Sequence, residues 1–190
     1  PKQTHRENMQ MKKLIGLTAL TVALSAGTAS AQYTDGIIKI GVLNDMSGVY
    51  ADVSGPGAVA AAKMAVEDFG AEKKGMKVEI AYGDHQNKPD VGSNIARTWF
   101  DTDKVDMIVD VPTSLVALAV TQIAKDKNKV FIGSGPASSD LTGPACNANF
   151  VHWTYDTWAL ANGTGKAIVK PGGDTWFFLT ADYAFGHALE

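Results

Sequence analysis

Short apolar runs and amphipathic segments alternate along most of this sequence, and this alternation restricts the chain to a few folds. The apolar runs predict β-strands over residues 37–43, 77–84, 105–111 and 129–135. Between the runs, apolar residues repeat every three or four positions, which predicts helices over 57–69, 87–100 and 114–127. Strands and helices that alternate through short links form βαβ units. We therefore expect an α/β fold with a doubly wound parallel sheet.

The alternation stops after the fourth predicted strand and then resumes. Residues 136–156 contain two prolines and show no periodic apolar face. A predicted helix over 158–169 and a predicted strand over 175–180 follow. We assign a first lobe to residues 37–156 and the start of a second α/β lobe to residues 157–190. Because that second lobe has only begun by the last residue, the sequence is interpreted as part of a longer protein.

The N-terminal region carries a pattern typical of secretory signal peptides. Lys12 and Lys13 precede an uncharged apolar segment over 14–26, and Ala29-Ser30-Ala31 follows as an A-x-A cleavage pattern. The apolar segment is too short to span a bilayer, which takes about 20 residues. We assign residues 11–31 to a signal peptide, residues 1–10 to an upstream extension, and the protein to the periplasm.

Charge and cysteine content exclude some classes of protein. The chain has 17 basic and 20 acidic residues and a formal net charge of −3. No basic run of five or more residues follows the signal peptide, so nucleic acid is not an expected partner. Cys146 is the only cysteine. It is interpreted either as a small buried apolar residue or as half of a pair whose other member lies outside this sequence.

The sequence motifs argue against nucleotide, metal and hydrolytic chemistry. The segment "GSGPAS" has Ser138 where a dinucleotide fingerprint needs its last glycine, and Pro136 removes an N–H. The segment "DTDKVD" has Asp106 where a calcium loop needs glycine. No G-x-S-x-G motif occurs, although a triad of some serine with His85 and Asp84 stays open as an alternative. We predict no catalytic residue, no metal and no cofactor.

Polar segments that follow the predicted strands favour binding without chemistry. Ligands of open parallel sheets bind at the carboxyl ends of the strands. Ser114 lies there, at the N-terminus of a helix predicted to bury Leu115, Leu118, Ala119 and Ile123. Free N–H groups and the helix dipole favour an anion at such a terminus, but Ser114 also suits a plain N-cap. The neighbouring segment "SGPASS" offers further N–H and hydroxyl donors.

Several segments together resemble one protein family. They are the signal peptide, "IKIGVLNDMSGVYADVSGPGAVAAAKMAVEDFG", the "PTS" turn, "FIGSGPASSDLTG" and "LTADYAFGHALE". They resemble periplasmic solute-binding proteins of the branched-chain amino acid (leucine/isoleucine/valine) type, which serve ABC importers. The resemblance covers residues 37–190. It implies the type I periplasmic-binding fold, with two doubly wound lobes that close on a ligand about a hinge.

The resemblance also implies site residues. Ser114, with Thr113 beside it, matches the family position that binds the ligand carboxylate. Gly135 and Ala137 match positions that contribute backbone groups, and Ser138 is able to supply a hydroxyl. Val53 matches a family aromatic residue, and Phe185 matches a tyrosine that closes over the ligand, with Tyr183 nearby. Family members have threonine where Ala137 stands, so the resemblance implies a more apolar site than an amino acid needs.

The resemblance implies a function that we state as an expectation. The chain is expected to capture a hydrophobic carboxylate, either a branched-chain amino acid or an aromatic or aliphatic acid. Its implied partners are the membrane permease and ATPase subunits of an ABC importer, and the full-length protein is expected to be monomeric. Two alternatives stay open, the ligand-sensing domain of a receptor and an exported hydrolase. An incomplete second lobe also predicts an unstable or aggregation-prone chain.

Overall fold

The computed structural model describes residues 35–190, which form a parallel β-sheet with helices packed against it. The strands are β1 (Ile37–Asn44), β2 (Lys77–Asp84), β3 (Met107–Asp110), β4 (Val130–Gly133) and β5 (Phe150–His152). The helices are α1 (Gly55–Phe69), α2 (Pro89–Asp101), α3 (Ser114–Asp126), α4 (Thr157–Val169) and α5 (Ala184–Leu189). Two 3₁₀ turns cover Glu72–Lys74 and Ser139–Leu141. None of the described helices is both long enough and apolar enough to cross a membrane.

All strand pairs in the sheet are parallel, and the strand order is β2-β1-β3-β4-β5. The order reverses at β1, because the chain first passes from β1 to β2 and then crosses back to β3. Crossovers between parallel strands are right-handed, so α1 lies on one face of the sheet and α2 and α3 lie on the other. The direct contact between α2 and α3 agrees with this arrangement.

The main hydrophobic core lies between the sheet and the face of α2 and α3. Leu43, Ile108 and Phe131 contribute from neighbouring strands, and all three are fully buried. A Cβ added to Gly41 of β1 would lie 2.5 Å from the ring of Trp99 in α2. A side chain at position 41 would therefore displace the indole, and glycine allows α2 to pack closely on the sheet.

The opposite face of the sheet is covered less completely. Val42 of β1 and Val59 of α1 are buried on this side. Tyr82, which pairs with Val42 in the ladder, is 64% exposed, and Val130 and Val151 near the other edge are more than 40% exposed. The α1 side of the sheet therefore leaves apolar side chains in contact with solvent.

The predicted α/β class with its parallel sheet is confirmed, and the first four predicted strands and the four predicted helices are present. The inward face of α3 was predicted correctly only in part, because Ile123 is buried and Leu118 packs against the core, but Leu115 does not. Leu115 is 38% exposed, whereas its neighbours Val116 and Ala117 are fully buried. The segment "SLVALAVTQIA" is apolar on nearly every side, so its pattern does not fix the face. The contact between α3 and α2 determines which face of α3 is buried, because Val116 packs directly on Gly92.

Two further expectations about local structure were wrong. Residues 175–180 form no strand, and Phe177 and Leu179 are more than 90% exposed. A strand needs a neighbouring strand to pair its N–H and C=O groups, and none of the described strands pairs with these residues. In contrast, β5 forms inside the segment expected to be irregular, where three residues pair with β4.

Three further assignments made from the sequence concern Cys146, the N-terminal segments and the division into lobes. Cys146 is exposed, so its interpretation as a buried apolar residue is wrong. The upstream extension over 1–10 and the signal peptide over 11–31 lie outside the described residues. The division into lobes at residues 37–156 and 157–190 stays a prediction.

Candidate ligand-binding site

The loop between β1 and α1 is held in shape by the carboxylate of Asp45. Oδ1 of Asp45 accepts the N–H of Gly48 at 2.7 Å, and Oδ2 accepts the N–H of Tyr50 at 2.9 Å. The Asn87 side-chain amide also donates to Oδ2. Burial raises the pKa of Asp45, but the hydrogen bonds from Tyr50, Gly48, Asn87 and Ser47 outweigh burial and hold that pKa below its usual value. The ionised carboxylate therefore fixes the loop at neutral pH.

Further side chains connect the carboxyl ends of the central strands. Nδ2 of Asn44, at the end of β1, donates to Oδ2 of Asp110 at 2.9 Å and to the C=O of Ser54 at 3.1 Å. Oδ1 of Asp110 accepts the hydroxyl of Ser134 at 2.9 Å. These bonds join the loops after β1, β3 and β4 into one rigid edge.

The connection from β3 to α3 has an unusual backbone. Asp110 and Val111 have φ angles of +75° and +53°, and Val111 is fully buried. A β-branched residue rarely adopts this left-handed conformation, which costs on the order of 1–3 kcal/mol and is typical of functional sites. The turn brings the first residue of α3, Ser114, against the loop that follows β4.

Ser114 and the loop after β4 are in direct contact. Oγ of Ser114 accepts the N–H groups of Ala137 at 3.3 Å and Ser138 at 3.2 Å. A hydroxyl that accepts two bonds still has its own proton to donate. Gly135 allows this contact, because a Cβ there would lie 2.7 Å from Cα of Pro112. The structure therefore brings Ser114, Gly135, Ala137 and Ser138 together, as the sequence predicted.

The hydroxyls of Thr113 and Ser138 are occupied by other bonds. Oγ1 of Thr113 donates to Oδ1 of Asn87 at 2.6 Å. Oγ of Ser138 accepts the N–H of Asp140 at 3.3 Å and so caps the 3₁₀ turn. Thr113, Ser114 and Ser138 are all buried, and none of the three lines the cavity at this edge of the sheet.

A cavity of about 180 Å³ lies above the loops that follow β1, β3 and β4. Its wall contains five residues that the sequence predicted as binding residues, namely Val53, Gly135, Ala137, Tyr183 and Phe185. It also contains four residues outside that prediction, namely Tyr50, Ser54, Pro112 and Tyr155. Tyr50 follows the end of β1, and this position alone would have marked it as a candidate binding residue. Tyr155 lies beyond β5, a strand that the sequence pattern did not reveal.

The upper wall of the cavity is formed by tyrosines from two distant segments. The hydroxyls of Tyr50 and Tyr183 lie 3.1 Å apart and share a hydrogen bond. The ring of Tyr183 stacks on that of Phe185, with centroids 6.0 Å apart. Burial and the contact with Tyr50 raise the pKa of Tyr183, so its hydroxyl stays protonated at neutral pH.

A second, larger cavity of about 820 Å³ lies between α4, α5 and the extended segment 176–181. Phe185 lines both cavities. The lining of the larger one consists mainly of apolar side chains, and it contains none of the predicted carboxylate-binding residues near Ser114. We therefore place the candidate site in the smaller cavity.

The environment of His85 bears on the alternative of a catalytic triad. Nδ1 of His85 accepts the N–H of Asn87 at 3.0 Å, and Nε2 is buried without a hydrogen-bond partner among the described residues. Burial lowers the pKa of His85, although the nearby carboxylates of Asp45, Asp84 and Asp110 act in the opposite direction. Asp84 accepts the hydroxyl of Ser47 at 2.6 Å. The serine thus donates to the carboxylate. In a catalytic triad the serine would instead donate to the imidazole, and the imidazole would donate to the carboxylate.

The part of the chain that the structure describes contains no group of three or more His, Cys, Asp or Glu side chains placed to hold a metal ion.

Comparison with known proteins identifies the family. The family described as periplasmic binding protein matches residues 37–190. This chain belongs to that family. A comparison with curated protein sequences found no match.

Solved structures of periplasmic binding proteins support the assignment. One from Burkholderia mallei is 50% identical, with a TM-score of 0.78, and the match covers 82% of this chain and 41% of that one. A second structure comes from Burkholderia xenovorans and is described as a branched-chain amino acid ABC transporter periplasmic ligand-binding protein. It is 39% identical, with a TM-score of 0.70, and the match covers 80% of this chain and 41% of that one. A solute-binding protein from R. palustris in complex with 4-hydroxybenzoate is 22% identical, has a TM-score of 0.72 and covers 80% and 41%, which shows the shared fold. The chain therefore spans less than half the length of these relatives.

Proposed function

We propose that this chain is part of the extracytoplasmic substrate-binding component of an ABC importer and that it captures a hydrophobic carboxylate. Membership of the periplasmic binding protein family supports a solute-binding role. The relative from Burkholderia xenovorans is described as a ligand-binding protein of a branched-chain amino acid transporter. By this proposal the protein acts in the periplasm, delivers its ligand to permease and ATPase subunits, and is monomeric at full length.

The arrangement around Ser114 is the observation that carries the proposal. Ser114 stands at the N-terminus of α3, where unpaired N–H groups and the helix dipole favour an anion. The N–H groups of Ala137 and Ser138 donate to its hydroxyl, which keeps its own proton to donate. Ser114 is itself buried and does not line the cavity, but it bonds directly to Ala137, which does. Donors of this kind bind a carboxylate without a counter-charge.

The remaining cavity wall accounts for the hydrophobic part of the ligand. Val53, Pro112 and Phe185 give the wall an apolar character. A ligand with a carboxylate at one end and an apolar body would satisfy both parts of the site. Closure of the cavity would remove water from the carboxylate and strengthen its hydrogen bonds.

The proposal is tested by binding measurements on the full-length gene product. Isothermal titration calorimetry with leucine, isoleucine, benzoate and the uncharged benzamide should show binding of at least one carboxylate and none of the amide. Ser114→Ala should weaken that binding by about 1–3 kcal/mol, since it removes a donor and leaves two N–H groups unpaired. Ser93→Ala is the matched control, because Ser93 is also a buried helical serine but belongs to α2 and does not line the cavity. Binding of the amide in preference to every carboxylate, or equal affinity of Ser114→Ala and the parent protein, would refute the proposal.

A further inference from the structure

The cavity is lined mainly by aromatic rings. Tyr50, Tyr155, Tyr183 and Phe185 form much of its wall, and no Asp, Glu, Lys or Arg is among the described residues that line it. Aromatic side chains attract a flat ring through stacking or edge-to-face contacts. The ammonium group of an amino acid, by contrast, loses its hydration on burial and needs an acidic partner in return. The lining therefore favours an aromatic acid over an amino acid.

The volume of the cavity suits a single ring. An apolar protein cavity of about 150 Å³ is large enough to bind benzene. At about 180 Å³, this cavity offers room for one aromatic ring with small substituents. A ring in this cavity would contact the loop at Gly135 and Ala137 as well as the tyrosines, since all of them line it.

The shared bond between Tyr50 and Tyr183 leaves one hydroxyl proton unused. The two hydroxyls lie 3.1 Å apart, and only one of them donates in that bond. A tyrosine hydroxyl both donates and accepts, so the pair has one proton and several lone pairs left for a third group. Neither hydroxyl has another hydrogen-bond partner among residues 35–190.

Both tyrosines are held in place by their own backbone. The N–H of Tyr50 donates to Asp45, and its C=O accepts from the N–H groups of Val53 and Ser54 at 3.0 Å each. Tyr183 precedes α5, where its C=O accepts the N–H of His187 at 3.1 Å. These bonds fix the main chain, while the shared hydroxyl bond and the stacking of Tyr183 on Phe185 restrain the rings. A ligand group that meets the hydroxyl pair therefore needs a defined place on the ligand.

We infer that Tyr50 and Tyr183 form a specificity-determining pair that selects aromatic carboxylates with a hydroxyl on the ring, an inference that rests on the proposed function. A ring hydroxyl both accepts the unused proton and donates to a tyrosine oxygen. A ligand without a polar group at this position would bury the tyrosine hydroxyls without that additional partner. Sites built to hydrogen-bond a hydroxyl discriminate against analogues that lack it.

The experiment compares ligands that differ only at the ring hydroxyl. Titration calorimetry of the full-length gene product with 3-hydroxybenzoate, 4-hydroxybenzoate and benzoate should give at least one hydroxybenzoate an affinity about fivefold to tenfold above that of benzoate. Tyr50→Phe and Tyr183→Phe should each reduce this ratio to about twofold or less, while the affinity for benzoate changes little. Tyr82→Phe is the matched control, because it removes the hydroxyl of an exposed tyrosine on β2 that does not line the cavity. It should leave the ratio unchanged.

Other outcomes overturn the inference and identify the reason. Equal losses of affinity for benzoate and hydroxybenzoate in the two variants would mean that the tyrosine pair only holds the cavity closed. Binding of leucine or isoleucine, with no binding of any benzoate, would overturn the inference but leave the proposed function intact. If no carboxylate binds, the proposed function itself fails.

Discussion

At the scale of single residues, Asp45 organises the loop that forms one wall of the cavity. Its carboxylate accepts hydrogen bonds from the N–H groups of Gly48 and Tyr50 and from Asn87. Replacement by asparagine would remove the charge and place an NH₂ group among donors. Asp45→Asn should therefore lower stability at pH 7, measured as the free energy of urea unfolding, and should weaken ligand binding through Tyr50.

The pKa of Asp45 also predicts how this loss of stability depends on pH. Its pKa in the folded chain is lower than the usual value of about 3.9. A depressed pKa adds stability above the pKa of the unfolded chain, and that stability is lost as the pH falls through the folded pKa. The stability difference between the parent chain and Asp45→Asn should therefore be full at pH 7 and shrink below about pH 4. Asp52→Asn, at an exposed position of the same loop, serves as the control. A difference that stays constant down to pH 3 would contradict this account.

The sequence predicted which segments meet at this edge of the sheet more reliably than it predicted what their side chains contact. Position at the end of a strand placed Ser114 and the loop after β4 together, because parallel strands end at one edge of the sheet. The orientation of Thr113 and Ser138 depends on Asn87 and Asp140, which bond to their hydroxyls. Such bonds arise from tertiary packing, and a pattern of residue types along the chain does not contain them.

At the scale of structural elements, the close approach of two loops determines the shape of the site. A Cβ at position 135 would lie 2.7 Å from Cα of Pro112 and 2.9 Å from Oδ1 of Asp110. Because one of these atoms belongs to the backbone, the loop after β4 would have to move. Gly135→Ala should destabilise the chain by about 1–3 kcal/mol and weaken ligand binding, as measured by urea unfolding and calorimetry.

A glycine without close neighbours provides the matched substitution. Gly163 lies within α4, and an added Cβ there would meet nothing within 4 Å. Gly163→Ala should stabilise the chain by up to about 1 kcal/mol, because alanine favours a helix more than glycine does. If the two substitutions changed the free energy of unfolding equally, contact between the loops would not explain the need for Gly135.

The predictions of whole elements succeeded where the element is long and has one buried face. The eight residues of β2 alternate clearly, and the observed strand has the bounds predicted from that pattern. By comparison, β5 has three residues, too few to show a period, and it forms because Phe150 packs on Phe131 with ring centroids 4.8 Å apart. Residues 175–180 have the composition of a strand, but composition does not supply a neighbouring strand. The presence or absence of a neighbouring strand therefore explains both exceptions, the strand β5 and the missing strand at residues 175–180.

At the scale of the whole molecule, the described residues form a well-packed core on one side and leave apolar surface elsewhere. The core between the sheet, α2 and α3 contains many fully buried side chains. In contrast, only Thr157 is buried in α4, while Trp158, Ile168 and Val169 of that helix are exposed. Trp176, Phe177, Phe178 and Leu179 extend this surface. An apolar surface of this kind promotes association with other protein surfaces.

The exposed segment gives a prediction about self-association of the 190-residue chain. Phe177 is 92% exposed and Leu179 is 96% exposed, so neither side chain contributes to the core. The double variant Phe177→Lys/Leu179→Lys should reduce association in sedimentation velocity and the binding of an apolar dye, while the free energy of unfolding changes by less than about 0.5 kcal/mol. The double variant Asn94→Lys/Thr142→Lys adds the same charge at exposed polar positions and removes no apolar surface. If both variants reduced association equally, charge repulsion would be the cause. A reduction confined to the first variant would locate the associating surface on residues 177–179, because the two variants differ in the apolar area removed and not in the charge gained.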